Sequence, residues 1–300
     1  MVPRDPRQGS LFDLSDRAKF RVTGADRIRF VNGQITNDVR KATDRTAIAA
    51  CLLNVKGKMN AHVVVSLRDD SILIDTDAQL GEVLGTRLER YIISDDVQIE
   101  DVTNQFSMFH VLAGTVPTLA ESSVSVARFR QPGWDLWVEA AQHDEMAQTL
   151  SDRLPLCDPA CAEVFRIEQG IPAWGRELTE DTIPVEANLE ESCIDYEKGC
   201  YIGQEIISRM RMSRQRNKGL YGLIAASGVS LSAGMKLHPA DDEQKEAGWI
   251  TSATHSDRLG KNIALGYVKR PFDRAGSQLL AGIGIAEIVN LPFDIPIGKH

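Results

Sequence analysis

The sequence contains no apolar run long enough to cross a membrane. Its longest apolar stretches, such as residues 47–53, fall far short of the roughly 20 residues that a membrane helix needs. The first residues, 1–7, are polar and lack the apolar segment of a secretory signal. These absences exclude a helical membrane protein and predict a protein of the cytoplasm that has no membrane partner.

Cysteine is scarce and histidine is scattered. The five cysteines are Cys51, Cys157, Cys161, Cys193 and Cys200. They are too few and too dispersed for a disulfide scaffold, and an odd number leaves at least one thiol free. No histidines form a close pair, and neither a His-Glu-x-x-His nor a Ser/His/Asp signature is present. We therefore expect reduced thiols, with Cys51 as a core residue, and no resident metal.

The excess of acidic residues is unevenly distributed. The chain carries 34 Lys and Arg against 42 Asp and Glu, a net charge of −8, which argues against general binding of nucleic acids or anionic membranes. Residues 177–197 contain eight acids and no Lys or Arg, whereas residues 206–240 contain basic residues and no acid. The net charge therefore hides a cationic segment.

Periodicity and length predict more than one domain. Residues 47–67 alternate as a β-hairpin, and further strands and single helices up to about residue 155 indicate an α+β subdomain over 45–155. A helix is predicted from Pro159 to Gln169, and short apolar runs between glycines after Lys218 indicate a small all-β domain. We place an N-terminal region at 1–215 and a C-terminal β-barrel at 216–300.

An octet between the acidic and basic segments carries the clearest chemistry. It runs Lys198-Gly199-Cys200-Tyr201-Ile202-Gly203-Gln204-Glu205. Its glycines allow a ligand to approach the backbone closely, and its lysine offers a charge for a carboxylate or phosphate. The basic surroundings of Cys200 favour a reactive thiolate. The alternative is a glycine-rich turn around a buried cysteine, and the spacing does not match a phosphate-binding Walker loop.

The basic run from Arg209 to Lys218 has three interpretations. It is a solvated linker between domains, part of a pocket for an anionic ligand, or a contact for RNA. The acidic net charge and the lack of interleaved aromatic residues argue against RNA.

The octet resembles the signature of the YgfZ-type folate-binding proteins. These are relatives of the glycine-cleavage T-protein, an aminomethyltransferase, and they take part in iron–sulfur cluster assembly or repair. Four further segments are similar to motifs of that superfamily, in the same order: residues 30–38, 165–172, 248–252 and 260–268. The resemblance covers most of the chain. It implies a T-protein-like α+β multi-domain fold with a ferredoxin-like subdomain and a C-terminal β-barrel.

The resemblance also implies a tetrahydrofolate site and assigns residues to it. Glu168 would accept hydrogen bonds from the donor edge of the pterin, which suits an acceptor-only carboxylate. Lys198 would meet the glutamate tail, and Cys200 would be the functional thiol. Further folate contacts are implied for four residues: Arg166, Gly199, Tyr201 and Gln204.

The hairpin departs from the T-protein pattern. In T-proteins a similar hairpin carries an aspartate thought to assist methylene transfer, but here Lys56 to His62 occupy that place, and no acid lies between Asp44 and Asp69. An amide cannot act as a general acid or base at neutral pH. The sequence therefore favours a folate-binding accessory protein whose partners are iron–sulfur client or assembly proteins, with tRNA modification as an associated process. The alternative is a folate-dependent aminomethyl or methyl transferase, and whether the protein is an enzyme stays open.

Overall fold

The computed structural model describes most of the chain, in three ranges: residues 5–112, 123–213 and 216–293. Fifteen β-strands and six α-helices lie within these ranges. None of the helices described there has both the length and the apolar composition needed to cross a bilayer. Of the basic run named above, Arg214 lies outside the described residues.

The chain folds into two compact units, each built from two segments. Unit 1 comprises Met1–Asp158 and Leu189–Arg209, and unit 2 comprises Pro159–Asn188 and Met210–His300. The middle segment of the chain thus groups with the C-terminal residues, and the domain boundary drawn from the sequence near residue 215 stays a prediction.

Unit 1 contains two antiparallel sheets. Its strands, in chain order, are Ser10–Asp13 (β1), Ala18–Thr23 (β2), Ile48–Leu53 (β3), Met59–Arg68 (β4), Ser71–Thr76 (β5), Gln98–Asp101 (β6), Phe106–Leu112 (β7), Ser123–Val126 (β8) and Gly133–Glu139 (β9). The five-stranded sheet has the order β3-β4-β5-β2-β6, and the four-stranded sheet has the order β1-β7-β9-β8. The hairpin predicted at 47–67 is confirmed as β3 and β4, which pair in antiparallel register.

The helices follow the apolar periodicity of the sequence. They are Arg27–Gln34 (α1), Gly81–Glu89 (α2), His143–Ser151 (α3), Pro159–Gln169 (α4), Glu190–Cys193 (α5) and Gln204–Ser213 (α6). The predicted bounds of α4 are confirmed, and Gly170 follows it at a φ of 66°, a left-handed conformation that favours glycine. The start of the basic run is helical, because α6 extends to Ser213. Most of residues 209–213 are exposed and the boundary between the units falls after Arg209, so the solvated linker stays a prediction.

Unit 2 contains a closed six-stranded barrel. Its strands are Lys218–Ala225 (β10), Lys236–Pro239 (β11), Gly248–Ser256 (β12), Lys261–Lys269 (β13), Gln278–Ala281 (β14) and Gly284–Val289 (β15). They close in the order β10-β13-β12-β11-β14-β15. Alternating apolar residues such as Leu223, Ile250 and Ile288 fill its interior. The C-terminal β-barrel and the α+β class predicted from the sequence are confirmed.

A buried ion cluster joins the two sheets of unit 1. Arg128 lies between Asp75 on β5 and Asp135 on β9, with its Nη2 atom 2.6 Å from a carboxylate oxygen of each. His110 on β7 adds an Nδ1 contact of 2.8 Å to Asp135. Burial by itself raises the pKa of Asp135, but the Arg128 guanidinium and the His110 contact together outweigh it and lower that pKa to about 2. The Arg128 guanidinium therefore bridges acids from both sheets, and Asp75 has a second cationic partner in Arg17.

Replacing Arg128 with methionine should destabilise unit 1 strongly. Asp75 would keep its contact with Arg17 and Asp135 its contact with His110, but both buried carboxylates would lose the guanidinium between them, and breaking a buried pair in this way costs about 3–5 kcal/mol. Urea unfolding monitored by circular dichroism measures the loss. The matched control is Arg209→Met, because Arg209 is 68% exposed and pairs with Glu205 on the helix surface. We expect that variant to lose at most about 0.5 kcal/mol, and equal losses in the two variants would contradict the assignment.

Candidate functional site

Lys198 fixes the position of the octet in unit 1. Its side chain is 5% exposed, and its ammonium donates to the backbone oxygens of Asn32, Ile35 and Asn37, each at 2.7 Å. These oxygens lie at the end of α1 and in the turn that follows it, where helix carbonyls lack partners within the helix. A cation is also favoured there by the helix dipole. Lys198 therefore ties the octet to the C-terminus of α1.

This geometry does not provide the predicted contact between Lys198 and the glutamate tail of folate. An ammonium has three donors, and all three are occupied by carbonyl oxygens. Burial lowers the pKa of Lys198 to about 8, whereas the three oxygens favour the charged form and oppose that shift. Lys198 thus has no donor left for an external anion in this structure, and its role here is to hold the loop.

Tyr201 packs inward beside Lys198. The ammonium lies 5.2 Å from the centre of the Tyr201 ring, within range of a cation–π contact. Burial raises the pKa of Tyr201 to about 12. Its hydroxyl is buried and has no hydrogen-bond partner among the described residues. Gln204, the last octet residue predicted to contact folate, is half-buried at the start of α6.

Gly199 and Cys200 are exposed, as is Glu205 at the end of the octet. A Cβ atom on Gly199 would meet nothing within 4 Å, so packing does not require glycine there. Gly203 differs, because its φ is 85° and a Cβ atom would lie 2.6 Å from the Asn54 oxygen of the β3–β4 turn. Packing therefore explains the second glycine of the octet but not the first.

A groove of about 490 Å³ opens in unit 1 beside this exposed segment. It is lined by Ala25, Asp26, Ile28, Arg29, Asn32, Arg40 and Gly199. Its two arginines are already neutralised, since Arg29 lies 2.6 Å from Asp95 and Arg40 lies 2.6 Å from Asp38. The groove thus lies next to the accessible thiol and carries little net charge.

The β3–β4 hairpin presents amides and an imidazole where T-proteins present an acid. Asn60 accepts a hydrogen bond of 3.2 Å from Nε of Arg87 on α2. His62 lies directly opposite Cys51 in the strand register, and its Nε2 atom is 3.5 Å from the sulfur of Cys193. Cys51 is buried, as predicted. The contact between His62 and Cys193 escaped the sequence analysis, because the two residues are 131 positions apart.

Glu168 lies on α4 in unit 2 and is 4% exposed. The Ser256 hydroxyl donates to its Oε1 atom at 2.5 Å, and Nε of Arg258 donates to its Oε2 atom at 2.9 Å. The carboxylate is therefore held in one orientation by the end of β12 and the turn after it. No motif marked Ser256 or Arg258, and only the barrel fold brings them to Glu168.

Arg166 is fully occupied by contacts inside unit 2. Its guanidinium donates to both carboxylate oxygens of Glu163, to Glu177, to Ser252 and to the backbone oxygen of Ile171. A guanidinium has five donors, and these contacts use all of them. The folate contact predicted for Arg166 is therefore not available in this structure, where the residue joins α4 to the barrel.

The predicted site residues fall into two sets. Arg166 and Glu168 belong to unit 2, whereas the five predicted octet residues from Lys198 to Gln204 belong to unit 1. In the part of the chain that the structure describes, no three His, Cys, Asp or Glu side chains are arranged to hold a metal ion. The predicted site residues therefore offer an exposed thiol in unit 1 and a buried, oriented carboxylate in unit 2.

Comparison with known proteins places both units in one family. Residues 6–128 match the GCVT N-terminal domain, and residues 218–294 match the glycine cleavage T-protein C-terminal barrel domain. The aminomethyltransferase of Halalkalibacterium halodurans is 24% identical over 95% of this chain and 87% of its own length. The tRNA-modifying protein YgfZ of Klebsiella pneumoniae is 26% identical over 85% of this chain and 86% of its own length.

A solved structure shows the same fold. The crystal structure of the glycine cleavage system aminomethyltransferase T from Bartonella henselae superposes with a TM-score of 0.84, covering 96% of this chain and 86% of that chain. The sequences are 18% identical, so the likeness concerns the fold. The T-protein-like fold predicted from the sequence is confirmed.

Replacing Lys198 with methionine should destabilise the protein even without a ligand. Three carbonyl oxygens would lose their donor, the Ile35 oxygen in a buried contact and the other two in part-buried contacts, and a buried group left unsatisfied costs about 1–3 kcal/mol. Thermal and urea unfolding measure the change. Lys41→Met is the matched control, because Lys41 is 60% exposed and its ammonium makes an ion pair with Asp195 rather than holding backbone oxygens. A stability loss no larger than that of the control would show that Lys198 does not hold the octet.

Proposed function

The chain belongs to the glycine cleavage T-protein family, and on this basis we propose that it is a tetrahydrofolate-binding accessory protein of iron–sulfur cluster assembly or repair. Cys200 is its functional thiol. The exposure of this thiol on a loop held by Lys198 carries the proposal. The similarity to a YgfZ protein over 85% of the chain supports it.

Cys200 differs from the other cysteines in its accessibility. Cys51, Cys157 and Cys193 are buried, and Cys161 is half-buried. A thiolate acts as a nucleophile or as an iron ligand only where a partner reaches it. The partners that fit are iron–sulfur client or assembly proteins, which would reach Cys200 across the surface beside Gly199.

Glu168 is the residue of this chain suited to the pterin of tetrahydrofolate. An ionised carboxylate only accepts hydrogen bonds, and the pterin edge it would face carries N–H donors. The bonds from Ser256 and Arg258 orient the carboxylate before any ligand binds. When bound, the folate would supply one-carbon chemistry, and Glu168 would bind and orient its ring.

The hairpin favours an accessory role over aminomethyl transfer. Asn60 and Ala61 offer no group that titrates near neutral pH. The imidazole of the hairpin, His62, faces the sulfur of Cys193. The second candidate function is an aminomethyl or methyl transferase, which the similarity to the Halalkalibacterium halodurans enzyme favours.

RNA contact through the basic run has less support. Arg209 is paired with Glu205 at 2.7 Å along α6, so part of the predicted positive charge is neutralised. Arg216 donates to the side chains of Asn188 and Tyr221. The described basic residues of the run are thus engaged within the protein.

The Cys200→Ala variant should fail to support iron–sulfur enzymes while keeping folate binding. We expect it to bind 5-formyltetrahydrofolate within about twofold of the wild type, because the proposed role of Cys200 is not in folate recognition. In a deletion strain it should leave iron–sulfur enzyme activity at the level of the empty vector. Cys161→Ala is the matched control, and it should restore activity.

Three results would overturn parts of the proposal. Full rescue by Cys200→Ala would remove the thiol from the function. Absence of folate binding by the wild type would remove the cofactor. Turnover of a methylene or methyl donor by the purified protein would establish the transferase instead.

Replacing Glu168 with glutamine should weaken folate binding. A hydrogen bond to a charged group contributes about 1.5–3 kcal/mol, so the dissociation constant should rise roughly 10- to 100-fold. Isothermal titration with 5-formyltetrahydrofolate measures it. Ser256→Ala is the control, since it removes a bond that orients the carboxylate but leaves the acceptor itself. We expect a smaller loss there, and an unchanged dissociation constant for Glu168→Gln would exclude the pterin contact.

A further inference from the structure

A second thiol site lies in unit 1, apart from the octet cysteine. Cys51 on β3 and His62 on β4 are directly opposite in antiparallel register, so their side chains lie on the same face of the sheet. The short helix α5 packs against β3 and ends at Cys193. Three separate elements thus bring two thiols and an imidazole together.

The Thr36 hydroxyl connects the backbones that carry the two cysteines. It accepts a hydrogen bond of 2.9 Å from the backbone N–H of Cys51 and donates one of 2.5 Å to the backbone oxygen of Cys193. The N–H of Thr36 donates to the Cys51 oxygen as well, at 3.0 Å. This buried threonine therefore holds the end of α5 beside β3 in a defined register.

Cys193 is surrounded by groups that stabilise its thiolate. Its sulfur lies 3.5 Å from Nε2 of His62 and 3.3 Å from Oγ of Ser192. The adjacent Cys51 thiol contributes most to lowering the pKa of Cys193 well below its usual value, and the imidazole adds to the effect. Burial raises the pKa of Cys51. Within the pair, Cys51 is therefore the proton donor and Cys193 is the acceptor.

We propose that Cys51 and Cys193 form an oxidisable dithiol that hydrogen peroxide converts to an internal disulfide, with His62 handling the protons. Both sulfurs are enclosed, so the oxidant must be small, and peroxide is close to water in size. His62 is half-buried and adjoins the Cys193 sulfur, which gives the site a side nearer to solvent.

The reaction balances in two steps. The Cys193 thiolate attacks one peroxide oxygen, the O–O bond breaks, and the departing hydroxide takes a proton from the His62 imidazolium and leaves as water. Cys193 is then a sulfenic acid. The Cys51 thiol gives its proton to His62, and its sulfur attacks the Cys193 sulfur. The S–O bond of Cys193 then breaks. The departing hydroxide takes that proton from His62 and leaves as a second water. Two thiols are oxidised to one disulfide, and one peroxide is reduced to two waters.

Cys193 differs from a typical buried cysteine in the polar groups that contact its sulfur. A buried thiol in apolar surroundings is inert and hard to ionise, whereas Cys193 contacts an imidazole and a hydroxyl. The inference does not depend on folate or on Cys200. A failure of the proposed function would leave it untouched.

The test is peroxide oxidation of the full-length protein, with each cysteine measured separately. The protein is exposed to limiting hydrogen peroxide, its remaining thiols are alkylated after denaturation, and its peptides are identified by mass spectrometry. We expect the Cys51 and Cys193 peptides to be recovered linked and two hydrogens lighter than the two free thiol peptides, whereas Cys157 is recovered alkylated.

Variants separate the roles of the two thiols and the imidazole. In Cys51→Ser, the sulfenic acid should persist on Cys193 and be trapped by dimedone added together with the denaturant, because the folded site is enclosed. His62→Gln should slow oxidation of Cys193 at least about tenfold, because it removes both a partner of the thiolate and the general acid for the leaving hydroxide. His255→Gln is the control, because His255 is exposed on the barrel and bonds to Asn262. In His255→Gln, Cys193 should be oxidised at the wild-type rate.

Recovery of Cys51 and Cys193 as free thiols, at doses that oxidise Cys200, would overturn the proposal. So would the absence of a dimedone adduct on Cys193 in Cys51→Ser. An unchanged oxidation rate in His62→Gln would exclude the imidazole. The wild-type result stands by itself should a cysteine variant fail to fold, and circular dichroism verifies the fold of each variant.

Discussion

The ammonium of Lys198 is the contact on which the candidate site of unit 1 depends. It donates hydrogen bonds to three backbone oxygens at the end of α1 and in the turn after it. A lysine charge is costly to bury unless all its donors are satisfied, so this geometry leaves the octet little freedom to move. With Lys198 and Tyr201 turned inward, Gly199 and Cys200 remain on the surface. The exposed thiol is therefore displayed by a segment whose neighbours are fixed.

The elements of the fold follow from local patterns in the sequence. Alternation predicted the β3–β4 hairpin, and helical spacing with a glycine stop predicted Pro159–Gln169, because such signals are confined to a few adjacent residues. The contacts of Lys198 could not be predicted in that way, since its acceptors are 161 to 166 residues distant in the chain. The octet could be located from the sequence, but which of its side chains point inward depends on the folded structure.

Burial distinguishes the residues that hold the fold from those that remain for function. Arg166 and Lys198 both looked like ligand contacts, because basic residues in a motif suit an anionic cofactor. Each instead uses every donor on oxygens of its own unit. Gly199 has room for a side chain, and Cys200 is exposed. Packing does not explain why a glycine and a cysteine stand at these two positions. A role in function, rather than in holding the fold, is the simpler explanation.

The hairpin limits the chemistry that unit 1 can offer. The guanidinium of Arg87 donates to the side-chain oxygens of Asn60 and Gln34 and to the backbone oxygen of Leu53, which are all neutral acceptors. This network joins the hairpin to α1 and α2. It places amides at polar positions where proton transfer would require a carboxylate. Amides hold such a network at any physiological pH but exchange no proton. The His62 imidazole and the sulfurs that it faces lie beside this network. The reactivity that this face of the sheet supports is therefore that of a thiol and an imidazole, rather than that of a carboxylate.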